Sequence, residues 1–367
     1  MIAFNDIYRG RKVLITGHTG FKGSWLAFWL TKLGAEVAGY SDMIPTQPSN
    51  FELLGLPNKM KHHLGDIRDR ARLEEVVDEF RPDIVFHLAA QAVVRMAYND
   101  PATTFEVNAM GMTNMLECLR ARPWISAAVL ITSDKAYRND EWCWGYREID
   151  PLGGKDPYSA SKSCADLIAQ CYLHSYLRNG STQISIARAG NVIGGGDWAE
   201  DRIVPDCVRA WSKGDPVAIR NPQATRPWQH VLEPLGGYLW LGARLLQQAP
   251  HLHAEAFNFG PDARVNQTVA ELLDVMTERW ANARWHMPKE AKLEGVREAN
   301  LLKLSCDKAL FHLQWSPVLD FSSTVAFTVD WYRLWHQKNE DLIAFTAHQI
   351  TEYCRMAQSQ GAPWVKE

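Results

Sequence analysis

The sequence predicts an α/β protein: a parallel sheet flanked by helices, followed by a smaller, mostly helical region at the C-terminal end. Three observations predict it. Strand-like and helix-like segments alternate through the first half, a glycine-rich turn (TGHTGFKG, 16–23) joins the first strand to the first helix, and the alternation stops after residue 190. Together these read as a Rossmann-type sheet with right-handed crossovers.

Each element has its own signal. KVLIT (12–16) is a buried strand, and 22–33 is a helix with apolar residues at helical spacing, stopped by Gly34. EVAGY (36–40) is the next strand. Residues 69–80 form a helix whose apolar face is Leu73, Val76, Val77 and Phe80. A strand at 83–88, a helix at 102–120, a strand at 127–132, a long helix at 158–177 and a strand at 184–188 complete the alternation. The stretch 191–231 is rich in Gly, Pro and Trp. Helices return at 234–247, 267–280 and 319–335, short strands are expected at 217–219 and 255–259, and the tail after 345 reads as a peripheral helix. We therefore expect a first domain over 1–190, with its core at 10–190, and a second over 191–367, with some chain crossing between them.

Composition narrows the function classes. The chain has 367 residues, 39 Lys plus Arg and 42 Asp plus Glu, a formal charge of -3. That balance argues against a nucleic-acid or anionic-membrane binder. With 46% hydrophobic and 22% charged residues it is neither disordered, collagen-like nor a coiled coil. The N-terminus lacks a signal-peptide pattern, and the longest apolar runs (VLI, AFWL, IVFHLAA) are too short to span a bilayer. Seven cysteines without a CxxC pair read as reduced thiols of a cytoplasmic protein. No HExxH and no compact His/Asp set is present, so no metal is expected.

Gly17, Gly20 and Gly23 are spaced GxxGxxG between a strand and a helix. Glycine lets the backbone approach a pyrophosphate that then sits over helix N–H groups. His18, Thr19, Phe21 and Lys22 fill the same turn and are expected on the cofactor side, His18 as a cofactor contact rather than a metal ligand, and no Gly-Lys-Ser/Thr follows to make it a P-loop. Asp42 falls after the second strand, where an acid accepts ribose hydroxyls, with Ser41 a competing ribose ligand. No arginine neighbours Asp42, which favours NAD over NADP. Asp66 and Ile67 are expected near adenine. Leu88, Ala89 and Ala90 end a strand where small side chains let a dinucleotide lie close.

Ser133 ends another strand, and Tyr158 and Lys162 lie i,i+4 on one helix face. A lysine beside a tyrosine favours phenolate, so Tyr158 can accept a hydroxyl proton near neutral pH while Ser133 holds the same hydroxyl. Behind a glycine-rich first turn, this set is that of the extended short-chain dehydrogenase/reductase superfamily.

Longer motifs sharpen the resemblance: ITSDKAY (131–137), WCWGYREIDPLGGKDPYSASK (142–162), ARAGNVIGGGDW (187–198), DRIVPD (201–206), RNPQATRPWQHVLEPLGGY (220–238) and EANLLKL (298–304). Over roughly residues 10–335 the chain resembles the CDP-glucose 4,6-dehydratase family. The resemblance implies conversion of CDP-glucose to CDP-4-keto-6-deoxyglucose and water, by oxidation at C4, elimination across C5–C6 and return of hydride to C6, with NAD regenerated. It implies that Tyr158 is the base for the 4-hydroxyl, that Lys162 contacts the nicotinamide ribose, and that Asp134 is the acid for the departing 6-hydroxyl. Lys135 takes the position of the C5 base, a role that needs a depressed lysine pKa at neutral pH and that another group could fill.

Resemblance also implies a substrate set. Arg226 is the diphosphate arginine, with Arg220 near it, and Arg202 precedes a segment that covers the nucleotide. Asn191 is the nucleotide-sugar asparagine. Gln91 and Arg95 lie in a loop at the sugar end, Asn108 supports the site from its helix, and Arg297 is placed nearest the far phosphate. The extended branch pairs through two long helices, which implies a homodimer or a tetramer. Three rivals share parts of this pattern. A nucleotide-sugar 4-epimerase needs no acid/base pair for water loss, a dTDP-glucose dehydratase carries Asp-Glu where this chain has Asp134-Lys135, and a non-catalytic NAD-binding protein has no use for the Ser–Tyr–Lys set.

Overall fold

The computed structural model describes residues 2–288, 301–338 and 341–366. Its centre is a seven-stranded, all-parallel sheet: β1 (Lys12–Thr16), β2 (Glu36–Ser41), β3 (Lys61–Leu64), β4 (Ile84–His87), β5 (Ala127–Ile131), β6 (Gln183–Ala189) and β7 (Ala256–Phe259). The spatial order is β7-β6-β5-β4-β1-β2-β3, with every neighbouring pair parallel. The chain winds outward from β1 in one direction and then from β4 in the other, so the carboxyl ends of β1 and β4 flank a crevice.

The strand residues explain why both faces are covered. Leu14, Ala38, Tyr40, Val85, Ala128, Leu130, Ile184 and Ile186 pack on one face with Leu73, Val76, Val77 and Phe80 of α2 (Arg70–Phe80) and Met112, Met115, Leu116 and Leu119 of α3 (Gly111–Arg120). Their alternate neighbours Val13, Ile15, Val37, Ile84, Phe86, Val129 and Ile131 face the other way. There they meet α1 (Phe21–Lys32), buried from Gly23 to Leu30, and α6 (Leu232–Leu246). A period of two with both phases apolar is what a parallel sheet between helix layers requires.

Further helices are α4 (Pro157–Tyr172), α5 (Ile203–Trp211), α7 (Phe321–Gln337) and α8 (Leu342–Ser359), together with Val269–Arg279. Three features differ from the sequence expectation. The helix expected at 102–120 carries a π-helical turn at Glu106–Met110. The short strand expected at 255–259 is β7, which joins the central sheet although it follows residue 190. The tail after 345 is not peripheral. Tyr353 and Trp364 are buried, stack at 5.7 Å and meet Trp29 of α1, while Val365–Lys366 pairs with Ile2–Ala3. Aromatic side chains 11 residues apart in sequence gave no periodic signal, because their partner lies at the other end of the chain.

Candidate active site

The glycine turn is built by close backbone packing. Gly17 has φ +76°, and a Cβ there would come within 2.8 Å of the Ala89 nitrogen. A Cβ on Gly23 would lie 2.1 Å from the Gly17 carbonyl oxygen. Both positions therefore need glycine to close the turn onto β4 and α1. Gly20 is different. A Cβ there would meet only the Gly17 oxygen at 3.5 Å, so its outer face is open. Gly20 caps α1 without a side-chain hydrogen bond, which leaves first-turn N–H groups to an anion. The cradle fits a dinucleotide pyrophosphate, and Phe21 and Lys22 stand half-buried beside it.

The side chains around the turn hold one another. Thr19 donates to the Met43 carbonyl at 2.6 Å. The His18 imidazole is fully buried, bonded to Ser41 at 3.0 Å and to His62 at 2.7 Å. Burial and the neighbouring His62 push its pKa down to about 3, so it is neutral. His18 was expected on the cofactor side. Its ring instead packs under the turn, against Gly39 and Phe51. Asp42 is exposed at the end of β2, its carboxylate accepting from the Met43 N–H at 2.9 Å. The Asp66 carboxylate is taken by Arg68 at 2.7 Å, and Ile67 is buried beside it. Leu88, Ala89 and Ala90 follow β4 half-buried, with the Ala89 N–H donating to Thr16 at 3.2 Å.

Across the crevice, β5 is followed by Thr132 and Ser133, and the chain turns sharply through Asp134–Ala136. Ser133 sets that turn: its hydroxyl accepts from the Lys135 N–H at 3.2 Å and donates to Asp134 Oδ1 at 2.9 Å. Tyr158 and Lys162 project from the first turns of α4, which starts with Pro157 after the Asp156 N-cap. Ser133, Asp134, Tyr158 and Lys162 are all under a tenth exposed.

Burial raises the Asp134 pKa, against the pull of Lys135, the Ser133 hydrogen bond and Lys22. Burial lowers Lys162 to about 8, with Asp166 opposing. Lys22 is also lowered to about 8, by burial and by Arg202 and Lys162 nearby, with Asp134 opposing. Tyr158 departs from expectation. Burial and the Asp134 charge push it up to about 12, opposed by Arg202 and by the Ser133 hydroxyl. The cation acting on the phenol here is thus Arg202, whose guanidinium is held by Asp197 at 2.8 Å.

A second layer fixes these groups. Asp166, one helical turn beyond Lys162, receives the Arg188 guanidinium through two bonds of 2.8 and 2.7 Å, and the Thr132 hydroxyl at 2.8 Å. Both ion-pair partners are fully buried. The pair ties α4 to β6 and to the residue before Ser133, and a buried bidentate pair of this kind fixes orientation. Asn108 bonds the Gln91 N–H at 2.8 Å and Ser161 at 2.8 Å, joining the sugar-end loop to α4. Sequence reading missed Asp166, Arg188 and Asp197. Of these only Arg188 carried a signal, as a charge at the end of an apolar strand.

The other expected substrate residues are more dispersed. Asn191 is exposed just past β6, next to Gly190, where a Cβ would approach Asp134 Oδ2 to 3.1 Å. Arg95 is exposed and pairs with Asp201 at 3.1 Å. Arg226 is half-buried on a two-residue strand paired with Gln267–Thr268, its guanidinium donating to the Thr225 carbonyl at 2.7 Å. Arg220 is exposed. Arg297 lies outside the described residues.

A doubly wound sheet with a glycine turn after its first strand and a buried Ser–Tyr–Lys set across the crevice defines a short-chain dehydrogenase/reductase. The family described as GDP-mannose 4,6 dehydratase matches residues 14–328, and the chain belongs to that family. It is 44% identical over 354 residues to the CDP-glucose 4,6-dehydratase of Salmonella typhimurium, covering 95% of this chain and 97% of that protein. It is 28% identical over 350 residues to GDP-mannose 4,6 dehydratase 1 of Arabidopsis thaliana, covering 89% and 91%. Among solved structures, the dTDP-glucose 4,6-dehydratase of Streptomyces venezuelae with NAD bound superposes with a TM-score of 0.72. It has 23% identity, over 90% of this chain and 99% of that one, and shares the fold.

Proposed function

We propose that the protein is an NAD-dependent CDP-glucose 4,6-dehydratase, a lyase that converts CDP-glucose to CDP-4-keto-6-deoxyglucose and water. The observation that carries this reading is the Ser133–Asp134–Lys135 turn facing Tyr158. In this reading the turn supplies an acid, Asp134, and an amine, Lys135, to the oxidation centre, a pair that a simple dehydrogenase or epimerase does not need. The likeness to the Salmonella enzyme over nearly the whole chain supports CDP-glucose as the substrate.

NAD, when bound, supplies the oxidant that takes hydride from C4 and gives it back to C6. Gly17, Gly20 and Gly23 admit its pyrophosphate, Ser41 and Asp42 meet the adenosine ribose, Asp66 and Ile67 border the adenine, and Lys162 reaches the nicotinamide ribose. Tyr158 takes the 4-hydroxyl proton, and Ser133 orients that hydroxyl. The resulting ketone acidifies C5–H, which Lys135 removes. Asp134 protonates the departing 6-hydroxyl, a task suited to a carboxyl whose pKa burial has raised. Asn191, Arg202, Arg220 and Arg226 hold the nucleotide diphosphate, and Gln91, Arg95 and Asn108 shape the sugar end.

In this reading residues 1–190 carry the cofactor and 191–367 the nucleotide sugar, with β7 of the second part completing the sheet of the first. Exposed Met110, Leu167 and Tyr176 give the α3 and α4 side an apolar surface suited to a second copy of the chain. No helix among the described residues is long and apolar enough to cross a membrane, in keeping with work in the cytoplasm.

Incubation with CDP-, dTDP-, UDP- and GDP-glucose in the presence of NAD tests the assignment. Only CDP-glucose should give a 4-keto-6-deoxy sugar. A C4-epimerised sugar that keeps its 6-hydroxyl would reject it.

A further inference from the structure

Elimination needs one oxygen of Asp134 in one place. A base takes the C5 proton, the electron pair of C5–H forms the C5–C6 double bond, and the C6–O bond breaks. The leaving oxygen keeps the electron pair of that bond, takes the acid proton of Asp134 and departs as water. Asp134 Oδ1 already accepts the Ser133 hydroxyl at 2.9 Å, so the acid proton belongs on Oδ2. Oδ2 is therefore the atom that must come within hydrogen-bond reach of the 6-hydroxyl.

The neighbouring strand sets the space around Oδ2. β6 runs beside β5 with Ala187 opposite Ile131, and just past its end Gly190 lies against the Asp134 carboxyl. A Cβ on Gly190 would stand 3.1 Å from Oδ2, 3.6 Å from Cγ and 3.9 Å from Gln229 Nε2. Gly190 is not required by its backbone, because its φ lies outside the left-handed region. It is buried, between buried Ala189 and exposed Asn191, where the strand opens into the crevice. The main chain there is held on both sides, Ala189 by Phe259 of β7 and Val192 by Gln229. Gln229 is buried, and its amide donates to the Phe259 carbonyl at 3.4 Å. A methyl group on Gly190 would meet a paired backbone and a packed amide, so the short Asp134 side chain is the part that gives way. We propose that Gly190 is a positioning residue of the elimination: by carrying no side chain, it leaves Asp134 Oδ2 the place from which it protonates the departing 6-hydroxyl. The inference rests on the dehydratase reading and gives Gly190 a task in the second stage alone.

The test compares the NAD-loaded wild type with Gly190→Ala, Asp134→Asn and the double variant. CDP-glucose undergoes both stages, whereas CDP-6-deoxyglucose can be oxidised at C4 but has no hydroxyl to lose. Gly190→Ala should slow dehydration about tenfold, while oxidation of the 6-deoxy sugar and the Kd for CDP-glucose stay within about twofold of wild type. In the Asp134→Asn background the same change should cost dehydration nothing further, because the acid it displaces is gone. A loss that is equal in the two assays, or that persists in full in Asp134→Asn, would overturn the proposal and leave the dehydratase assignment standing. Absence of dehydration by the wild type would remove both.

Two readouts need no turnover. The infrared band of the Asp134 carboxyl, identified by its loss in Asp134→Asn, should shift in Gly190→Ala, and an unmoved band contradicts the proposal. If Gly190→Ala lowers the melting temperature, the loss should vanish in the Asp134→Ala background, where the added methyl group meets no carboxyl. A loss of equal size there would assign Gly190 to packing and overturn its role in placing the acid.

Discussion

The two ends of the crevice handle polar groups in opposite ways. At the glycine turn, His18, Ser41, Thr19 and His62 are bonded to one another or to backbone, and what faces outward is main chain. At the chemical centre, Lys22, Lys162, Tyr158 and Asp134 are crowded together, and burial has moved each pKa toward the neutral form. The first arrangement suits a ligand held by shape and backbone dipoles. The second suits proton transfer at Lys22, Lys162 and Asp134, whose shifts run toward neutral pH, while Tyr158 is driven away from it.

The contrast predicts how each end breaks. The largest effect belongs to Tyr158→Phe, which should lower kcat on the order of 10³-fold while leaving CDP-glucose affinity within a factor of a few, as a binding titration would show. Asp134→Asn comes next, with about 10²-fold slower dehydration. In rapid-quench samples this variant should build up the 4-keto sugar that still carries its 6-hydroxyl. Equal loss of oxidation and dehydration in that variant would place Asp134 outside the elimination.

The glycine turn should fail by packing. Gly23→Ala forces a methyl group into the Gly17 carbonyl and should cost about 1–3 kcal/mol in stability, with NAD affinity falling alongside. Gly20→Ala meets only ordinary contact and should leave the unfolding midpoint nearly unchanged. Similar losses from the two would mean that the turn is not shaped by backbone approach.

Glu233 sharpens the comparison from the core. It is a buried acid with no cationic partner among the described residues, accepting from Val318 N–H, Leu319 N–H and the Tyr353 hydroxyl, and burial pushes its pKa up to about 7. A carboxyl whose folded pKa is raised favours the fold while protonated. Its ionisation therefore costs stability as pH rises from its unfolded value near 4.3 to about 7. Denaturant melts at stepped pH should show Glu233→Gln gaining about 1–3 kcal/mol on the wild type across that window. A difference that does not vary with pH would remove the buried-acid account.

Much of this was legible in the sequence, for identifiable reasons. The central strands are apolar on both faces, so KVLIT and AAVLI could be read without knowing their neighbours. The glycine turn and the Tyr158–Lys162 spacing are local patterns. What could not be read is long-range. Asp166 and Arg188 come from a helix and a strand whose contact depends on the sheet order, and Tyr353 belongs to the core only because the chain ends meet. The His18 ring was legible as a residue of the turn but not in direction, since its partner His62 lies on β3. The upward shift of Tyr158 depends on burial and on Asp134, which spacing does not reveal.

The most direct test of the central claim, that one crevice oxidises C4 and reduces C6 of the same sugar, is turnover of CDP-[4-²H]glucose in ordinary water. The account predicts deuterium in the C6 methyl group of the 4-keto product, as seen by NMR. Deuterium retained at C4 or washed out into solvent would contradict it.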